Sequence, residues 1–278
     1  MPAKKFILNF ALTGMIPTKE MTPYVPISPD EVINDVLSVA DLGVSMVHLH
    51  ARDRATGEPT YKKDIYAEII QGIRKKEKDL ILGVSTSGRN FPEFDKRSDC
   101  LNLEGELKPD FASLTLSSIN FNKQASINSP QMIQDFAKMM LEKGIRPELE
   151  AFDLGMINYA KYLIHKGLLQ PPYYFNLILG NIACAQADML HLGLMIRELP
   201  EGSIWSVGGV GDCQLEMNTM AITAGGGARV GLEDNIWYDT ERTRLATNRN
   251  LVERIVSIAK AIGRVPFSPK EARDLLKL

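Results

Sequence analysis

The chain has 278 residues, 45% of them hydrophobic and 24% charged, with a formal net charge of -2. This balance is ordinary for a globular enzyme and lacks the basic surplus of a general nucleic-acid binder. No stretch reaches the roughly 20 apolar residues of a membrane span, and the first apolar run, short and carrying Asn9, reads better as a buried first strand than as a leader. Cys100, Cys184 and Cys213 are odd in number and widely spaced, so they predict free thiols in a reducing, cytoplasmic compartment.

In chain order, FILNFALTG (6–14) predicts a first strand, and 28–43 a helix with Ser28 as N-cap and Pro29 at the first helical position. VSMVHLHARD (44–53) predicts the second strand, with a helix over 64–79. LILGVSTSG (80–88) predicts the third strand, followed by a shorter helical stretch near 94–106. The fourth strand is expected over 111–121 and its helix over 129–144, opened by Ser129 and Pro130. RPELEAFD (146–153) predicts the fifth strand, followed by a helix to about His165. Strands over 173–180, 204–209 and 228–235 follow, with helices over 181–198, 212–224 and 243–263. SPKEARDLLKL (268–278) adds a terminal helix with an S-P-x-E cap.

Eight strand–helix units in succession predict a parallel sheet closed into a barrel. The expected class is α/β, a (β/α)8 TIM barrel with an extra C-terminal helix, forming one catalytic domain over 1–278. The alternative, an open doubly wound sheet, lacks support. No GxGxxG follows the first strand, and the glycine runs at 208–211 and 225–227 come too late in the chain.

Side chains alternate along a strand, so His48 and His50 share a face near the C-terminal end of the second strand, where barrel enzymes place their chemistry. The other two histidines, His165 and His191, fall in predicted helices. Two imidazoles need a further ligand to hold zinc. On the eighth strand, Arg229, Gly231 and Glu233 are expected to share a face. Closure places that strand and the second on either side of the first, which brings Glu233 towards the histidines. Two histidines and a carboxylate leave open coordination positions, compatible with zinc or non-haem iron; zinc as a Lewis acid is the expectation. Glu148 and Glu150 share a face on the fifth strand, Ser85 and Ser87 on the third, and Thr115 and Ser117 on the fourth. Inward carboxylates are costly unless paired, hydrogen-bonded or metal-bound. Asp234 is open to capping a helix or to acting as a base.

TGMIPTKEMTPYVPISPDEV, VHLHARD, GVSTSGR, SLTLSSINF, RPELEAFD, WSVGG and ARVGLEDN, in this order, resemble the β-keto acid cleavage enzymes over essentially the whole chain. The resemblance implies a zinc-dependent TIM barrel that reacts a β-keto acid with acetyl-CoA to give acetoacetate and a new acyl-CoA. It implies His48, His50 and Glu233 as metal ligands, Asp234 as base and Arg229 as the residue that orients it. It places Ser85 and Gly88 against the substrate carboxylate and keto group. Glu150 fits the strand-five acid, with Glu148 as the alternative, and Thr115 and Ser117 are expected substrate contacts. It also implies a homo-oligomer, with a tetramer favoured.

The chain departs from the pattern at Ile16, where some members carry a glutamate suited to an ammonium-bearing substrate. An amine at the variable end is therefore disfavoured. A zinc hydrolase or class II aldolase on the same barrel would usually need a further metal-binding histidine near a strand end. A non-catalytic metal binder is the remaining alternative.

Overall fold

Strands that read as near-continuous apolar runs bury both faces. In the computed structural model, which describes residues 4–278, the first three residues of the leader-like segment lie outside the description. Eight strands close into a barrel: β1 (Leu8–Ala11), β2 (Met46–Leu49), β3 (Ile81–Val84), β4 (Phe111–Thr115), β5 (Arg146–Ala151), β6 (Tyr173–Leu179), β7 (Ser203–Gly209) and β8 (Gly227–Val230). All are parallel and follow chain order. β8 returns to pair with β1 through Arg229 and Asn9, and β1 pairs with β2 through Ala11 and His48.

Helices α1 (Pro29–Ser38), α2 (Lys63–Arg74), α3 (Phe94–Arg97), α4 (Pro130–Lys143), α5 (Leu154–His165), α6 (Met189–Glu198), α7 (Gln214–Ala224) and α8 (Asn248–Ala261) follow the strands in turn. Ser28 and Glu31 form the capping box that opens α1, and Ser129 caps α4. The expected helix over 181–198 starts only at Met189, because the Asp188 side chain caps it by accepting the His191 N–H. Thr247 likewise delays α8 to Asn248. Among the described residues no helix is long and apolar enough to cross a membrane.

The additional helix α9 (Pro269–Leu276), opened by the Ser268–Glu271 capping box, closes one end of the barrel. Its Ala272 and Leu276 pack with Ile7, Met46, Ile81, Phe111 and Tyr174 in an apolar layer separate from the main core between barrel and helices. The site can therefore occupy only the opposite end, where the strands finish.

Three strands stop short of their expected ends, which changes how the site is built. β3 ends at Val84 and β4 at Thr115, so Ser85, Ser87 and Ser117 stand on loops. β8 ends at Val230 because Gly231 turns the backbone to φ 155, and Glu233 and Asp234 belong to the turn beyond. The shared strand face expected for Arg229, Gly231 and Glu233 does not exist past Val230; the turn brings Glu233 inward instead. A Cβ on Gly231 would lie 1.9 Å from the Ala11 carbonyl oxygen. Gly231→Ala should therefore cost about 3 kcal/mol or more in urea unfolding. Gly263→Ala, at φ 74 with open space around it, should cost only about 1–2 kcal/mol. Equal losses would assign the whole effect to the backbone angle and none to contact with β1.

Candidate active site

His48 and His50 occupy the end of β2, and the turn after β8 delivers Glu233 across β1 to meet them. His48 Nε2 and His50 Nε2 are 3.1 Å apart, His50 Nε2 and Glu233 Oε1 3.1 Å, and His48 Nε2 and Glu233 Oε1 3.9 Å. Ligands of a tetrahedral zinc at about 2.0–2.1 Å stand roughly 3.3 Å from one another, so the three donors fit one small cation. Glu233 Oε2 is buried without a hydrogen-bond partner, which leaves a lone-pair donor free at the same point. Gly14 lets Glu233 approach: a Cβ there would lie 2.5 Å from Glu233 Cγ.

The histidine pair is oriented from below. His48 Nδ1 lies 2.7 Å from Glu148 Oε2, an arrangement that fixes the ring and leaves Nε2 facing the other donors. Glu148 is fully buried and also accepts from Asn9 Nδ2 at 2.7 Å and from Asn176 Nδ2. Tyr174, beneath them, accepts from Asn9 and donates to Ser206 Oγ at 3.0 Å. Burial disfavours the Glu148 anion, but His48 and Arg229 outweigh it and hold its pKa below the ordinary value. Burial likewise opposes charge on His48, yet Glu148 and then Glu233 push its pKa up to about 9. The carboxylates thus create a potential that favours positive charge where the three donors converge.

Arg229, on β8 and 2% exposed, grips the acids above. Its Nε donates to Asp234 Oδ2 at 3.0 Å, its Nη2 lies 2.7 Å from Glu233 Oε1, and its Nη1 lies 3.7 Å from Glu150 Oε1. Asp234 therefore turns towards the arginine and caps no helix. Burial raises the pKa of Asp234, with Glu233 adding to it against the pull of Arg229. Glu150 is raised chiefly by burial and accepts from Thr115 Oγ1 at 2.7 Å. Depth separates the two strand-five acids: Glu148 sits under His48, whereas Glu150 lines the open cavity.

That cavity, about 660 Å³, is lined by His48, His50, Glu150, Arg229, Glu233 and Asp234. Ser85, Ser87 and Thr115 also line it. Gly88 packs on the Arg97 guanidinium and Ser117 is exposed; neither lines the cavity. Ile16 lines its outer wall with Met15 and Met21. His165 closes α5, and His191 pairs with Asp188 at the start of α6.

Several contributors carry no signal in strand periodicity. Arg52 donates to the carbonyls of Gly14 and Pro17 and fixes the loop that bears Ile16. Asn248 accepts from the Leu232 N–H at 2.8 Å and donates to the Leu12 carbonyl at 3.0 Å, tying the ends of β1 and β8 together next to Glu233.

Over residues 5–278 the chain matches the beta-keto acid cleavage enzyme family. It is 37% identical to the 3-keto-5-aminohexanoate cleavage enzyme of Fusobacterium nucleatum, over 99% of this chain and 98% of that protein. It is 33% identical to the 3-oxoadipate:acetyl-CoA acetyltransferase of Cupriavidus necator, over 98% of this chain and 94% of that protein. A solved ternary complex of ObcA with C4-CoA adduct and oxalate shares the fold, with a TM-score of 0.82 at 22% identity over 92% of this chain and 68% of ObcA.

Two substitutions separate donation from orientation. His48→Ala should abolish binding of a divalent metal, and Glu148→Gln should weaken it about 10- to 100-fold. Both are measured by chelator competition on the purified protein. Unchanged affinity in either variant would contradict these ligand and orienting roles.

Proposed function

Because the chain belongs to the beta-keto acid cleavage enzyme family, we propose that it condenses a β-keto acid with acetyl-CoA and releases acetoacetate and a new acyl-CoA. The observation that carries this reading is the trio of donors His48, His50 and Glu233 beside an aspartate gripped by a buried arginine, all opening on one cavity. Zinc is the metal we assign, on the nitrogen and oxygen donors and their tetrahedral spacing. When bound, it would supply Lewis acidity for the oxygens of the keto acid.

The residues account for the remaining chemistry. Asp234 takes a proton from the carbon between the ketone and the carboxylate. Arg229 holds that aspartate in position, and its Nη1, which lies near Glu150 but makes no hydrogen bond, offers a donor for negative charge as it develops. The resulting carbanion attacks the acetyl thioester and expels the coenzyme A thiolate. The thiolate then adds to the substrate-derived ketone, and the bond between that carbon and the original nucleophilic carbon breaks. Acyl-CoA leaves, and protonated Asp234 returns its proton to the acetoacetate carbanion. No net oxidation occurs, and no serine or cysteine nucleophile is needed. Glu150, held by Thr115 and near Arg229, tunes the charge around that arginine, and Ser85 contacts the acid.

Met15, Ile16 and Met21 bring no carboxylate to the part of the cavity they line, which disfavours an amine at the variable end of the acid. Three free cysteines fit a cytoplasmic setting. A homo-oligomer, with a tetramer favoured, follows from the family likeness, and Ile182, Met189 and Leu190, 67%, 75% and 70% exposed, are offered as residues of its interface.

Zinc-loaded protein given a panel of short β-keto acids and acetyl-CoA should form acetoacetate and the matching acyl-CoA. No product from any acid, with metal content verified, overturns the reading. Asp234→Asn should keep its metal and lose about 100- to 10,000-fold in kcat; a near-normal rate would remove Asp234 as the base. Light scattering should show Met189→Asp with Leu190→Asp in a smaller assembly than the parent, and an unchanged mass would place the interface elsewhere.

A further inference from the structure

Arg89, on the loop leaving β3, lines the cavity together with Ser85 and Ser87. Among the described residues no acceptor meets its guanidinium and no carboxylate pairs with it; only its backbone N–H is engaged, by Ser87 Oγ. What the guanidinium touches is the ring of Phe121, 3.6 Å from Cζ to the ring centroid. A guanidinium held by its face keeps its in-plane N–H groups available for a planar anion. The platform is itself braced: Phe121 packs edge-on against Phe152 with ring centroids 6.2 Å apart, and its N–H donates to the Gln124 carbonyl at 2.9 Å. Burial lowers the pKa of Arg89, while Glu233, Glu150 and Asp234 act on it through space in the opposite sense. The side chain thus lies within the field of the reacting centre without touching it.

We propose that Arg89, on its Phe121 platform, is a specificity-determining residue that binds a second carboxylate at the variable end of the β-keto acid. This rests on the keto acid reading above. The acid's own carboxylate and ketone belong at the reacting centre, where Arg229 already supplies a cation. Arg89 stands apart from that cluster but in the same cavity, so a ligand reaching from one to the other carries negative charge at both ends. Coenzyme A does not meet that description: its pantetheine arm is uncharged, and its phosphates lie the full length of the arm from the thioester. Ile16 is consistent with a diacid, since a glutamate on the cavity wall would repel a second carboxylate.

The test compares the zinc-loaded parent with Arg89→Gln on a 3-oxo monoacid and a 3-oxo diacid of equal chain length. The parent should favour the diacid. The variant should lose about 10- to 150-fold in kcat/KM on the diacid, mainly through KM, while its kinetics on the monoacid barely change. Equal losses on both acids, or none on the diacid, would overturn the proposal. Phe121→Leu should reproduce a smaller loss of the same selective kind. Calorimetry with glutarate and butyrate, neither of which reacts, measures binding independently of turnover. Glutarate should bind the parent more tightly than butyrate, and the advantage should vanish in Arg89→Gln. If no keto acid is cleaved yet glutarate binds through Arg89, the reaction assignment fails and the subsite stands. If glutarate binds no better than butyrate, the subsite fails.

Discussion

A buried excess of negative charge organises this barrel. Glu148, Glu150, Glu233 and Asp234 lie together within a largely apolar wall, and Arg229 is the guanidinium buried among them. Taking that many carboxylates out of water is unfavourable unless each finds donors or a cation. The surrounding polar residues respond to this. Asn9 and Asn176 donate to Glu148, Thr115 donates to Glu150, and Arg229 spreads across the other acids. What they leave unbalanced is relieved where His48, His50 and Glu233 meet, and a divalent cation fits there. The proposed metal site, the proposed base and the supporting polar layer are three answers to one electrostatic demand.

Much of the fold was legible because it repeats. Strand and helix periods alternate eight times, and the caps at Ser28, Ser129 and Ser268 mark helix starts through local hydrogen bonds. The histidine pair followed from alternation along a single strand. Glu233 was reached for a partly wrong reason: strand order does bring it to the histidines, but through the turn at Gly231 and not along a shared face. Glu148 and Glu150 could not be ranked from sequence, because alternation gives direction and says nothing of depth. Ser117, on the loop beyond its strand, is exposed and Gly88 lies against the Arg97 guanidinium, so neither lines the cavity, whereas Ser85 and Ser87, on a loop of the same kind, do. Arg89, Arg52 and Asn248 act through loop and helix-end contacts that no periodicity encodes. The cap of α9 was readable, whereas its destination against the end of the barrel depends on packing between distant segments.

In the proposed reading, chemistry and selection draw on different parts of the chain. His48, His50, Glu150 and Arg229 are carried by strands or their immediate ends, and Glu233 and Asp234 by the short turn that follows β8. Ile16, Arg89 and Phe121 belong to the loops above β1, β3 and β4. Loops can change without disturbing the strands beneath, which is how one barrel can host different acids. Relatives sharing a third of this sequence carry names with different keto acids, as that division allows.

The closure of β8 onto β1 also sets an order in time. His50 and Glu233 are separated by 183 positions, yet they meet across a single intervening strand. During synthesis, His48 and His50 leave the ribosome long before their third partner exists, and α9, which seals the far end, emerges later still. Early segments can pair and partly pack, but the pocket for the cation forms only once nearly the whole chain has been made. On the proposed reading, a metal ion would find its three donors together only after the first folding steps. The meeting of His50 with Glu233 is thus among the last features the chain acquires.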